Sequence, residues 1–147
     1  MTPQVSVIGS GATWQDAAEE IGRLLAEHGC TVVTGGLGEV MAAAHRGAKA
    51  AGGTTIAILP GERRDEANPW ADHVVVTGIG HARNLAVAAS GDAVIAVGGA
   101  WGTLAEIAFA HALGRVVIAL DGAPVVEGLR TAATPAEAVE LALAGLE

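Results

Sequence analysis

Short apolar runs that end in glycine constrain this chain more than any other feature. Val5-Ser6-Val7-Ile8 runs into Gly9-Ser10-Gly11, and Thr31-Val32-Val33-Thr34 into Gly35-Gly36-Leu37-Gly38. Thr54 to Leu59 stops at Pro60-Gly61, His73 to Thr77 at Gly78 and Gly80, and Ala93 to Val97 at Gly98-Gly99-Ala100-Trp101-Gly102-Thr103. Brief β-branched runs closed by glycine read as buried strands entering tight turns. Glycine accounts for 21 of the 147 residues, about twice the usual share, and its lack of periodicity excludes collagen.

Between these runs the apolar spacing changes from strand-like to helical. Trp14, Ala17, Ile21, Leu24, Leu25 and His28 recur at three and four residue intervals, which predicts an amphipathic helix ended by Gly29. Thr13 and Asp16 have the spacing of a capping box at its start. Further helices are expected from about Glu39 to Ala51, His81 to Ser90, Leu104 to Leu113 and Pro135 to Leu146, with a sixth strand over Arg115 to Leu120. The one markedly polar stretch, Glu62 to Trp70, reads as a loop with room for one helical turn. Strands alternating with helices predict a single α/β domain over residues 1–147, a Rossmann-like, doubly wound and mainly parallel sheet with helices on both faces. Such sheets bind ligands outside the carboxyl ends of their strands, where the strand order reverses.

Several function classes are disfavoured. The net charge is −8 with one Lys, so a phosphate backbone would be repelled and nucleic acid is not an expected partner. No apolar run is long enough to span a membrane, and the N-terminus reads as a strand without a secretory leader, so the expected location is cytoplasmic. Cys30 is alone and reads as a small buried hydrophobe. His28, His45, His73, His81 and His111 lack metal-ligand spacing, so no metal site is expected. No Walker A sequence occurs. A dinucleotide fingerprint fails because Trp14 takes the third glycine position and no acid follows Thr34.

The remaining glycine loops suit a smaller anion. Gly35, Gly36 and Gly38 open one helix, and Gly98, Gly99 and Gly102 open another. Glycine lets an anion approach the backbone, and a helix N-terminus offers free N–H groups. Thr103 adds a hydroxyl donor, and Gly9 with Ser10 lies on the same sheet edge. Glu106 is expected on the first turn of the helix after strand five, near the same mouth, where a carboxylate gains from the helix dipole. Arg83 and Asn84 begin a helix, where a cation opposes the dipole, and this points to a phosphate or carboxylate partner for Arg83. Trp101 is expected within the loop, either stacked on a ligand ring or buried against a partner subunit.

Ala82-Arg83-Asn84, followed by Gly98-Gly99-Ala100-Trp101-Gly102-Thr103-Leu104-Ala105-Glu106, resembles the signature of the LOG-like (SLOG) superfamily, formerly called lysine decarboxylase-like. The resemblance runs from the first strand to about Leu120. It implies that Arg83 and Glu106 form a catalytic pair and that Gly98, Gly99, Gly102 and Thr103 hold a nucleotide phosphate. Cytokinin riboside 5'-monophosphate phosphoribohydrolases of that superfamily usually carry Pro, Lys and a second acid where this chain has Val97, Asn84 and Ala105. The Arg-Asn pair and the short chain are closer to a branch similar to molybdenum cofactor carriers. Two readings follow. One is hydrolysis of the N-glycosidic bond of a nucleoside 5'-monophosphate, without a cofactor. The other is non-catalytic carriage of a phosphorylated heterocycle such as molybdenum cofactor. The resemblance also implies a homodimer or higher homo-oligomer, as do the Ala-rich helices near Trp101 and Phe109.

Overall fold

The computed structural model describes residues 1–147 as one seven-stranded sheet in the order β4-β3-β2-β1-β5-β6-β7, with every adjacent pair parallel. The strands are β1 (Gln4–Ser10), β2 (Thr31–Thr34), β3 (Thr55–Leu59), β4 (His73–Val76), β5 (Ala93–Gly98), β6 (Val116–Leu120) and β7 (Arg130–Ala132). The helices are α1 (Gln15–Glu27), α2 (Glu39–Ala50), α3 (Arg83–Ser90), α4 (Trp101–Ala112) and α5 (Pro135–Ala144). The Rossmann-like, doubly wound α/β reading therefore holds. Three short 3-10 turns complete the elements, including one at Arg64–Glu66 inside the polar loop.

The core has two layers. On one face Ile21 and Leu25 of α1, Val40 and Ala44 of α2, and Val139 and Ala142 of α5 pack against Val5, Val7, Ile95 and Ile118. On the other, Val87 and Ala88 of α3 with Ile107 and Ala110 of α4 cover Ile8, Val33, Val94 and Ala96. Alanine and glycine let these layers approach closely: a methyl group at Gly22 of α1 would lie 1.9 Å from the Ala44 carbonyl oxygen of α2.

The chain departs from expectation in four places. The capping box is absent, because a 3-10 turn over Ala12–Trp14 precedes α1, whose N-cap is Trp14 without a side-chain cap. The seventh strand was not foreseen, since Arg130-Thr131-Ala132 has no apolar pattern and is held by pairing with β6. Helix α4 begins at Trp101 rather than Leu104, so Trp101, Gly102 and Thr103 form its first turn and Glu106 falls in the second. The final helix stops at Ala144. No helix is long and apolar enough to cross a membrane.

Strand order reverses at β1, which lies between β2 and β5. Ser10 and Gly98 are register partners at the carboxyl ends of β1 and β5. The first and last glycine loops thus meet at the switch point.

Candidate anion site at the switch point

Backbone packing explains why glycine ends β1 and β5. A methyl group at Gly9 would fall 1.8 Å from the Val97 carbonyl oxygen, so β1 and β5 could not close around a larger residue. Gly98 (φ +59°) and Gly122 (φ +102°) adopt left-handed conformations and make room for Trp14. A methyl group at either would lie 2.2 Å from that indole. The bulk that defeats a dinucleotide fingerprint is therefore accommodated, with the Trp14 indole packed against Gly11, Gly98 and Gly122 beyond the ends of β1, β5 and β6. At Gly99 a methyl group would lie 2.0 Å from Thr103 Oγ1, so the Thr103 side chain folds back over the glycine loop.

Two glycines of the anion loops have neither a packing reason nor a left-handed backbone. A methyl group at Gly38, the N-cap of α2, or at Gly102, on the first turn of α4, would meet nothing within 4 Å. Glycine inside a helix costs about 1 kcal/mol relative to alanine. The first-turn N–H groups of any helix lack intrahelical acceptors, and neither helix has a side-chain cap to satisfy them.

Arg83 is the first residue of α3 and only 7 % exposed. Its guanidinium sits where a side chain at Gly35 would be, since a methyl group there would lie 2.6 Å from Nη1 and 2.8 Å from Cζ. Nη1 donates to Asn84 Oδ1 at 2.7 Å, which assigns Asn84 to holding the guanidinium. The Nε–H is buried without an acceptor. Burial lowers the Arg83 pKa from its ordinary value, and Glu106 opposes that shift.

Glu106, 4 % exposed, is the second buried charge-bearing group. Burial raises its carboxyl to about 7, with the Arg83 charge pulling the other way. No ion pair within 4.0 Å joins the two, although each perturbs the other. Arg83, over the Gly35 turn, and Glu106 are thus near enough to interact electrostatically without forming an ion pair. Trp101, by contrast, is 83 % exposed and points to solvent.

Sequence reasoning missed a polar cluster beneath this site. His45 of α2 is fully buried, and burial drives its imidazole down to about 4, leaving it neutral. Asn68 Nδ2 donates to His45 Nδ1 at 3.1 Å, so Nε2 carries the proton and donates to Thr34 Oγ1 at 3.2 Å. Thr34 Oγ1 also accepts the Gly36 N–H at 3.0 Å. The Gly36 carbonyl accepts from Asn68 twice, from the backbone N–H at 2.9 Å and from Nδ2 at 3.3 Å. A His on an apolar helix face, eleven residues beyond a strand-ending Thr, was the available signal.

A family model for the SLOG cluster4 family matches residues 2–142. The cytokinin riboside 5'-monophosphate phosphoribohydrolase LOG of Oryza sativa subsp. japonica is 36 % identical over 110 residues, 69 % of this chain and 43 % of that protein. The chain thus spans less than half the length of that relative. Among solved structures, the molybdenum cofactor binding protein of Rippkaea orientalis superposes with a TM-score of 0.92 at 32 % identity, covering 100 % of this chain and 99 % of the other. The molybdenum cofactor carrier protein of Chlamydomonas reinhardtii gives 0.90 at 33 % identity, with 99 % of both chains covered.

Proposed function

Because the chain belongs to the SLOG cluster4 family, a LOG-like group related to molybdenum cofactor carriers, we propose that it binds and carries a phosphorylated heterocycle of the molybdopterin type. One observation supports the anion site above the rest: a nine-tenths buried Arg83 whose Nε–H lacks an acceptor, in a chain rich in acids. A buried guanidinium with an orphaned N–H is costly unless an acceptor completes it, and an anion is the acceptor that suits its charge. In this reading the phosphate meets Arg83, the Thr103 hydroxyl and the first-turn N–H groups of α4 and α2. Gly38 and Gly102 supply the close backbone approach that otherwise leaves them unexplained. Carriage is favoured over cleavage by the full-length similarity to the two molybdenum cofactor proteins.

Glu106 supports hydrolysis as a second reading. A carboxylate near the sugar would stabilise an oxocarbenium-like transition state, with Arg83 fixing the ribose phosphate. Burial raises the Glu106 carboxyl to about 7, which disfavours the charged form that role needs. Mass spectrometry of small molecules released from purified protein separates the two: a phosphorylated pterin supports carriage, and a nucleoside monophosphate supports hydrolysis. Release of free base from AMP, slowed at least about a hundredfold by Glu106→Gln with affinity retained, would overturn carriage.

The same reading includes a second copy of the chain. Trp101, Ala105, Ala108, Phe109 and Ala112 are all exposed on α4 at helical spacing, and no Asp, Glu, Lys or Arg shares that outer face. Leu85 extends this apolar surface onto neighbouring α3. Large side chains beside small ones on one surface suit a two-fold contact.

A further inference from the structure

We propose that Asn68, with Thr34 and His45, positions Arg83 by fixing the glycine turn on which its guanidinium rests. This deepens the anion-site reading above and gives the polar loop of residues 62–70 a task. The relay has three links, each a direct contact.

The loop is anchored first. Thr55 Oγ1 donates to the Trp70 carbonyl at 2.6 Å, and Asp72 accepts from the Thr55 N–H at 3.0 Å and from Lys49 Nζ at 2.9 Å. The Asn68 side chain is then oriented by the Trp70 N–H, which donates to Oδ1 at 3.0 Å. That bond leaves Nδ2 facing the Gly36 carbonyl and His45 Nδ1.

The second link is the turn. Its carbonyl and its N–H at Gly36 are held by Asn68 and Thr34 respectively, and His45 bridges those two side chains. Gly36 has φ +80°, and a methyl group there would lie 2.7 Å from both the Ala57 and Leu59 side chains. The turn is therefore clamped on one side by hydrogen bonds and on the other by β3. The third link is Gly35, whose bare Cα forms the floor under Arg83. A displaced turn moves that floor, and the single bond from Nη1 to Asn84 of α3 does not replace it. Neither Asn68 nor His45 need touch a ligand, so both act as positioning residues through Arg83.

The test compares Asn68→Ala and Thr34→Val with Arg63→Ala as control, since Arg63 lies in the same loop and pairs only with Asp65. The first readout needs no ligand: the Arg83 Nε–H resonance in ¹⁵N-labelled protein, assigned by its loss in Arg83→Lys. It is expected to shift or broaden in Asn68→Ala and Thr34→Val and to stay in place in Arg63→Ala. The second readout is AMP affinity by calorimetry, expected to fall about tenfold in Asn68→Ala and to fall no further when Asn68→Ala is added to Arg83→Ala. An unmoved Nε–H resonance in both folded variants, or additive affinity losses, overturns the relay. Should Asn68→Ala fail to fold, Thr34→Val carries the test, because it removes one hydroxyl at nearly constant volume. If wild-type protein binds neither AMP nor inorganic phosphate, the anion-site reading falls while the resonance still decides the relay.

Discussion

Replacing Glu106 by Gln should stabilise the protein at alkaline pH and lose most of that advantage in mild acid. Burial raises the Glu106 carboxyl from 4.5 to about 7. Between those values the folded chain keeps a proton that the unfolded chain has released, so wild-type stability falls as pH rises through this window. Each pKa unit is worth about 1.4 kcal/mol, and the cost is complete once pH exceeds the folded value. From about pH 5 to about pH 8 the accumulated penalty is about 2.5 kcal/mol. Attraction to Arg83 is already contained in the folded pKa, so it is not counted again. Burial of His45, whose imidazole falls to about 4, removes stability as pH drops, but equally in both proteins, so it cancels in the difference. Gln keeps the shape of the side chain and has no charge to bury. Urea unfolding of wild type and Glu106→Gln at the two pH values measures the effect, and the stability difference should grow in favour of Gln by about 2.5 kcal/mol. That corresponds to about 5–10 °C in Tm for a domain of this size. A difference that does not change between the two pH values would mean that Glu106 titrates as a solvated carboxyl, and the reasoning from burial would fail.

Gly102→Ala should raise stability by about 0.5–1 kcal/mol, because nothing opposes the added methyl group, while weakening phosphate binding at least about tenfold. Thermal denaturation and calorimetry on the same sample check both halves. Thr103→Val should cost about 1–3 kcal/mol in affinity for AMP and little for adenosine if the proposed site holds, since there only the phosphate would meet the hydroxyl; equal losses for both ligands would place the phosphate elsewhere. If α4 forms the proposed two-fold contact, Ala108→Glu puts a charge in the middle of its exposed apolar stripe, and light scattering should give an oligomer for wild type and a monomer for the variant; a monomeric wild type would remove the contact.

The order of elements as far as β6 and the parallel sheet were legible in the sequence, as was the sheet edge where the glycine loops gather. The physical reason is local: β-branched runs set strands, three and four residue spacing sets helices, and left-handed turns such as Gly98 and Gly122 admit little but glycine. Arg83 and Glu106 stood out as candidates for a related reason, since a cation at a helix N-terminus and an acid after a glycine loop are unusual in sequence alone, and the fold buries both. What depended on tertiary structure was everything set by residues far apart in the chain. Strand β7 exists only because β6 pairs with it. Trp14, which looked like an obstruction, fits because Gly98 and Gly122 converge on it from 84 and 108 residues away. His45 read as one of five scattered histidines until folding buried it between Thr34 and Asn68. Pattern along a chain records what each residue can do with its neighbours, but burial, pKa and hydrogen-bond closure belong to the packed state, where desolvation decides which polar groups must find one another.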